Sequence, residues 1–495
     1  MRIRALVCCC AVPLRALLGC CAVPLRALLY CFAGLLLAGC AALGPDYRRP
    51  AVDLPRTYSA GAEAVAAAAV EAAWWKLYGD PALDRLVAST LERNADIRLA
   101  VARIEEADAN LREAGATFLP QVDLGTTGAR SRISTNTATP LPSTVSPVRN
   151  NLRLALSTSF ELDFWGRLRR ALEAARAQAL GTRYARDVVT LSLAGLASQA
   201  YFSLRSLDAQ IALTSETLAV REEYLDMVRR RAAGGIASDL DVNQAVVARV
   251  DAAAQIKDLQ RQRTLVEHQL GTLAGKLDLA LPNAATLLAL PVPPVPPQGL
   301  PSALLERRPD IRQAEQQLVS ANAQIGVARA AMLPALSLTS FYGGESRGLA
   351  TLLDSGSNIW SLGFGLALPI FDWGRLAART DAAEARARQS LAGYQKAIET
   401  AFREVADGLT NLEQTTATEE DLQARATAAR NVLGLARARY EAGYSAYLEV
   451  LDAQRTANDA ELAVVRNRQS RLSASVDLMK ALGGGWSAET SPAGR

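Results

Sequence analysis

Two stretches of this chain decide its fold. "DFWGRLRRALEAARA" runs from Asp163 to Ala177, and "FDWGRLAARTDAAEARA" runs from Phe371 to Ala387. Each has an aromatic pair, a Gly-Arg step and then Ala- and Glu-rich sequence. Gly166 and Gly374 stand 208 positions apart. The correspondence continues on both sides. Upstream, "NADIRLAVARIEEADANLREAGATFLPQVDL" from Asn94 is answered by "RPDIRQAEQQLVSANAQIGVARAAMLPALSL" from Arg308. Downstream, "RRRAAGGIASDLDVNQA" from Arg229 is answered by "RARYEAGYSAYLEVLDAQ" from Arg437. A period of about 200 residues is too long for a stacked solenoid. It reads as two equivalent halves of one object, each running helix, strand, strand, very long helix, tight turn, helix.

The long helices are unusual. No Pro falls between Arg167 and about Arg231, and Ala200, Leu204, Leu207, Ile211, Thr214, Leu218, Leu225 and Val228 follow a three/four spacing. That is the seam of a coiled coil. At about 1.5 Å per residue the helix would be roughly 100 Å long. The copy from Arg375 to about Glu441 also lacks Pro. A globular core has no need of helices of this length. Ala richness with only 5% aromatics suits such close helix packing.

The strands alternate. "NIWSLGFGLALPI" puts Trp360, Leu362, Phe364, Leu366, Leu368 and Ile370 on one face, and Ser361, Gly363, Gly365, Ala367 and Pro369 on the other. "NLRLALSTSFELDFW" does the same with Leu152, Leu154, Leu156, Thr158 and Phe160. Their partners follow the two Leu-Pro steps, at "LPQVDLGTTGARS" and "LPALSLTSFYGGES". Strands of about 9–11 residues span an outer membrane when tilted, although a half-buried soluble sheet alternates in the same way. A membrane barrel must close, and the smallest have about eight strands. One chain supplies four, so spanning strands require an oligomer with a shared barrel.

All seven cysteines (Cys8, Cys9, Cys10, Cys20, Cys21, Cys31, Cys40) lie in the first forty residues, which excludes a disulfide framework or a Cys-based metal site in the body. The segment "CCAVPLRALL" occurs there twice, for no functional reason the residues disclose. The last apolar run ends in "LAGC", Leu37 to Cys40, too short for a spanning helix and shaped like a cleaved export signal. It resembles the bacterial lipobox, which implies a covalent lipid on Cys40 as the mature N-terminus. Ala41, rather than Asp, resembles outer-membrane sorting. The expected organisation is therefore a signal peptide over 1–39, a lipidated tail over 40–80, a first repeat over 81–288, a Pro-rich linker over 289–301, a second repeat over 302–485 and a tail over 486–495.

The net charge of +4 shows no Lys/Arg block, so no nucleic-acid partner is expected. The one histidine, His268, sits in an amphipathic helical stretch. No His/Cys/Asp cluster, phosphate loop or nucleophile elbow is present, which argues against an enzyme and against a metal or other cofactor. An anchored coiled-coil protein would fit the helices and lipid but not the four strands.

Together the motifs resemble the TolC-like outer-membrane efflux factors, and within them the lipoprotein branch. The carriers are "WWKLYGDPALDRLV" (Trp74–Val87), "RPDI" (Arg308–Ile311), the two Leu-Pro turns, both W-G-R junctions, "EAGYSAYLEVLDAQ" (Glu441–Gln454) and "ALGGGW" (Ala481–Trp486). The resemblance implies a fold that is mainly α with membrane β. It is a homotrimer with one twelve-stranded barrel, four strands per chain, continuing into a long α-helical coiled-coil tunnel. It implies an outer-membrane location and lipid contact, a periplasmic adaptor, and an inner-membrane RND-type pump as partners. The function implied is a passive exit duct for drugs and small toxic molecules. A protein-secretion outlet uses the same fold and is the rival reading.

The same resemblance assigns residues. Trp165, Gly166 and Arg167, with Trp373, Gly374 and Arg375, mark where strand becomes tunnel helix. Trp suits a water–lipid boundary, Gly a change of backbone direction, and Arg a reach to headgroups. The turns Ala233–Ala245 and Ala442–Gln454 correspond to the periplasmic gate. There Glu449 and Asp452 match an acidic ring, Leu448 an apolar ring, Tyr444 a linking tyrosine and Asp241 its partner. No linking arginine has a match, since Ala446 and Tyr447 occupy a turn shorter than in the founding member. Acids at a helix N-terminus are also favoured by the macrodipole alone.

Overall fold

The computed structural model describes residues 42–52, 55, 72–139, 142, 144–283, 287–293 and 304–486. The signal segment, Cys40, the Ala-rich run up to residue 71, residues 294–301 of the linker and the last nine residues lie outside the described residues.

In chain order the main elements are α1 (Pro81–Arg93), α2 (Ala95–Ala116), β1 (Gln121–Arg132), β2 (Val148–Leu162), α3 (Arg167–Ala233) and α4 (Asp239–Leu273). Then come α5 (Pro309–Ala330), β3 (Ala335–Ser346), β4 (Asn358–Ala367), α6 (Arg375–Glu441) and α7 (Tyr447–Ala481). Both long helices have 67 residues, and both partners after the turn have 35. The offset of 208 therefore holds without a gap from the first junction to the end of the second helix pair. Of the seam residues, Ala200, Leu204, Leu207, Thr214, Leu225 and Val228 are buried, while Ile211 and Leu218 are half-buried. No helix among the described residues is long and apolar enough to cross a membrane.

The chain divides into two compact units, and each contains parts of both sequence repeats. One gathers Arg112–Ala174, Ala321–Ala387 and the segment ahead of Arg48; the other gathers Arg48–Leu111, Ala175–Ser320 and the chain from Arg388 onward. The first is built on one four-stranded antiparallel sheet in the order β1-β2-β3-β4. The β2–β3 pairing, Leu152 opposite Ser346 through Leu162 opposite Leu336, joins the two repeats. β1 and β4 are left as edges. The strands have 10 to 15 residues; β4 falls within the expected length, and β2 runs longest because it pairs with β1 out to Arg132 opposite Val148, past the end of β3.

The register settles which residues share a face. One face carries Val122 and Leu124, then Leu152, Leu154, Leu156 and Phe160, Leu336 and Leu338, and Trp360, Leu362, Phe364 and Leu366. The other carries Asp123, Thr127, Arg153, Ser157, Glu161, Thr339, Ser361 and four strand glycines, Gly125, Gly343, Gly363 and Gly365. On the apolar face Trp360, Leu362 and Phe364 are each more than 70% exposed, so none of the described residues covers them.

The helical unit has an ordinary core where the family motifs converge. Trp74 and Tyr78 pack with Leu83, Phe202, Leu270 and Val476. The Tyr78 hydroxyl meets Ser475 Oγ at 2.5 Å. Asp80 caps α1 by accepting from the Ala82 N–H at 2.8 Å, and it also accepts from the Tyr201 hydroxyl. Arg308 of "RPDI" donates to Asp310, to Glu404 and to the carbonyl of Ala481, tying the start of α5 to α6 and to the end of α7. These motif residues hold the helices in register.

Candidate functional site

The two junctions share a backbone solution. Asp163 accepts from the N–H groups of Leu168 (3.0 Å) and Arg169 (2.9 Å), and Asp372 from those of Gly374 (3.0 Å) and Leu376 (2.9 Å). Each aspartate satisfies N–H groups that a helix start leaves unpaired. Gly166 and Gly374 follow with φ of 78° and 80°, a region that a Cβ disfavours. The helices then begin at Arg167 and Arg375.

Their surroundings differ. At the first junction Trp165 is half-buried and its Nε1–H donates to the carbonyl of Pro334 at 2.8 Å. Arg167 makes two bonds to Glu161, of 2.9 and 2.6 Å. The chain just after residue 41 lies against this site. The Leu43 N–H donates to the Trp165 carbonyl at 3.0 Å, and a Cβ on Gly166 would stand 2.5 Å from that of Ala42. Arg170 then holds Asp46 at 2.6 Å, and the Leu43 and Gly44 carbonyls. At the second junction Trp373 is 89% exposed and has a φ of 56°, the only positive value at a non-glycine among the described residues. Its ring touches Phe371, also exposed. Gly374 has open space where its Cβ would be, and Arg375 has no ion pair among the described residues.

The two closing turns also share a backbone and differ in side chains. The Gly235 and Ile236 N–H groups bond back to Ala232 and Arg231 at 2.9 Å each; those of Gly443 and Tyr444 bond back to Tyr440 (3.0 Å) and Arg439 (2.9 Å). Ser238 and Asp241 then form a reciprocal capping box on α4. The Asp241 carboxylate accepts from the Ser238 N–H at 3.1 Å and from its hydroxyl at 2.8 Å. Tyr444, its expected partner, is 80% exposed, and its hydroxyl makes no hydrogen bond among the described residues. Within one chain Asp241 is thus engaged locally, and the two are not brought together.

The second turn has Ala446 as N-cap and no side-chain cap. Tyr447, the first residue of α7, lies buried between Tyr224 (6.0 Å between rings) and Tyr440 (5.5 Å). Arg437 sits over the Tyr224 ring and Arg231 over the Tyr440 ring, at 5.6 and 4.8 Å. Burial, then the neighbouring tyrosines, pushes the Tyr447 hydroxyl up to about 12. This cluster was not read from the sequence. Its signal was Tyr440 and Tyr447 flanking the turn, with Tyr224 one long helix away. Glu449 pairs with Arg439 at 3.2 Å across the turn, and Asp452 with Arg455 at 2.8 Å. Each expected ring acid therefore has an arginine of its own chain. Leu448, with Ile236 and Leu240 on the first turn, is mostly exposed.

Comparison with known proteins agrees with this geometry. The model of the family described as outer membrane efflux protein matches residues 86–276 and 300–484, one segment per repeat. The solvent efflux pump outer membrane protein SrpC of Pseudomonas putida is 36% identical over 469 residues, covering 92% of this chain and 97% of that protein. The cation efflux system protein CusC of Escherichia coli O157:H7 is 34% identical, covering 91% and 97%. The crystal structure of the CmeC outer membrane channel of Campylobacter jejuni superposes with a TM-score of 0.83 at 25% identity, over 91% of this chain and 97% of that one. On the shared repeats, junctions and turns, and on matches across nearly the whole chain, this protein belongs to the outer membrane efflux protein family.

Proposed function

We propose that the chain is the outer-membrane exit duct of a tripartite efflux system, working as a homotrimer. The observation that carries this is the four-stranded sheet, with an exposed apolar face and both edges unpaired, in a chain that also carries two equal helix hairpins. Four strands cannot close a barrel in lipid. Three copies joined β4 to β1 make twelve strands, remove every edge and turn the apolar face to lipid. The polar face then lines a water-filled bore. A lipid on Cys40 would sit close to the first junction, because Ala42 and Leu43 are seated there.

The helix pairs form the tunnel, closed where the turns converge. Glu449 and Asp452 from three chains form the acidic ring there, with Leu448 beside it, and Tyr444 reaches Asp241 across chains. Arg439 and Arg455 hold the ring acids outward in the closed state. A periplasmic adaptor docks near the turns and an RND-type inner-membrane pump loads the duct; the exposed Ile236, Leu240 and Leu448 give the adaptor apolar contacts. The relatives' names speak of solvents and of cations, which supports efflux over protein secretion.

Single-channel conductance of the purified protein in a planar bilayer tests the reading, with wild type beside Glu449→Ala/Asp452→Ala. The expected result is a small, cation-preferring pore that widens or loses its preference in the variant. A normal pore indifferent to the change would place the gate elsewhere. Folded oligomer without any pore would overturn the barrel.

A further inference from the structure

The β1–β2 hairpin is charged in one sense only. Between Asp123 and Glu161 there is no acidic residue, while Arg130, Arg132, Arg149 and Arg153 all lie there. The register divides these arginines between the two faces. Arg130 stands opposite Asn150 and Arg132 opposite Val148, on the face of Val122, Leu124, Leu152 and Leu154. Arg149 and Arg153 point to the polar face, where Arg153 lies 4.2 Å from the Phe341 ring. Arg130 and Arg132 are thus arginines on the apolar side of the sheet. Both are exposed, and neither makes an ion pair or hydrogen bond among the described residues. Glu345 and Asp354, the acids of the neighbouring hairpin's outer end, pair with neither.

Their height on the sheet matters. Arg130 is eight residues beyond Val122, the first apolar residue of that face on β1. At about 3.4 Å per residue and a tilt of about 40°, this is roughly 20 Å along a membrane normal, close to the ~25 Å apolar band of a barrel. A cation on the lipid face is costly at mid-membrane and nearly free at its boundary. Arg130 and Arg132 therefore fall at the boundary, at the end of the sheet away from the helices. There the β1–β2 hairpin overhangs β3, which stops pairing at Leu152, so one flank of the pair is open.

We propose that Arg130 and Arg132, with the Asn150 amide beside them, bind the phosphates of a phosphorylated lipid headgroup in the outward-facing leaflet. This rests on the barrel reading above. Guanidinium groups grip phosphate through paired, charge-assisted bonds, and two of them on one face of one strand, about 7 Å apart along it, present a double cation to the phosphates of a headgroup. In a closed trimer the site repeats three times around the rim. It would fix the height of the barrel and couple it to the anionic leaflet.

The test uses the full-length, detergent-solubilised trimer and native mass spectrometry. Bisphosphoryl lipid A is titrated into wild type, Arg130→Gln/Arg132→Gln and Arg149→Gln/Arg153→Gln. Two surface arginines give an expected weakening of roughly thirtyfold in the first variant and less than about twofold in the second. Inorganic phosphate at millimolar concentration should leave the bound lipid in place. Equal losses in both variants, no loss in either, or displacement by free phosphate would each overturn the proposal. Should the glutamine pair fail to assemble, Arg130→Lys/Arg132→Lys keeps the charge without the fork, and an intermediate affinity is expected; wild-type affinity overturns the arginine-specific site. Conductance is recorded on the same samples. Open pores with unaltered lipid binding sink this inference alone, whereas folded trimer without pores sinks the channel reading beneath it.

Discussion

The first strand-to-helix junction is packed by its own chain, and the second is bare. Both have the aspartate cap, the glycine at positive φ and the helix start at arginine. Yet Trp165 is bonded to Pro334, Arg167 to Glu161 and Gly166 is pressed by Ala42, while Trp373, Gly374 and Arg375 meet almost nothing. Duplication copied the local backbone chemistry. It did not copy the neighbours, because only one N-terminal segment exists to cover two sites. In the proposed trimer the second junction faces lipid or an adjacent copy.

The largest expected difference between the junctions comes from adding a methyl group to each glycine. Gly374→Ala meets only the left-handed backbone and should cost about 1–2 kcal/mol. Gly166→Ala meets the same strain and must also push Ala42 away, for a total of about 2–3 kcal/mol. Thermal unfolding of the trimer gives the costs, and limited proteolysis around residues 42–49 reports on the displaced tail. Equal costs with an undisturbed tail would mean that the segment after residue 41 is not seated at the first junction.

The tryptophans sharpen the contrast at smaller amplitude. Trp165→Phe removes a bonded Nε1–H and leaves the Pro334 carbonyl unpaired, for about 1 kcal/mol. Trp373→Phe removes no bond, and its effect on stability should be within about 0.5 kcal/mol. Fluorescence with brominated lipid separates them further. Loss of quenchable emission should be greater for Trp373→Phe than for Trp165→Phe, and the reverse order would place the second junction out of lipid.

What the sequence discloses follows the same division. The start of both long helices at the W-G-R step, their length, the seam on α3, the apolar face of β2 and that of β4 up to Leu366 were all legible, since each is written in local residues and periodicity; Leu368 and Ile370 continue the alternation past the end of β4 and do not belong to the strand. The overhang of β1–β2 beyond β3 was not, because strand ends depend on which partner stops first. Nor was the stacking of Tyr447 between Tyr224 and Tyr440, which brings the two helices of the second turn against α3, far earlier in the chain. The acids at the second turn were found, but their partners Arg439 and Arg455 were missed. Arg439 precedes the turn, and only the closed hairpin puts it opposite Glu449.

The closing turns carry the comparison to the other end of the helices with the smallest expected effect. Ser238 and Ala446 are equivalent positions, 208 apart, yet only the serine caps its helix. Ser238→Ala should cost about 1 kcal/mol, since the Asp241 N–H loses its acceptor and the Asp241 carboxylate loses the hydroxyl donor. Ala446→Ser should return less than that, because Glu449, at the position of Asp241, is already paired with Arg439 and cannot complete a box without releasing it. Denaturant unfolding of the two variants measures the difference. A gain from Ala446→Ser as large as the loss from Ser238→Ala would mean that the Arg439–Glu449 pair gives way freely, and the second turn would then be held by its buried tyrosine rather than by its charges.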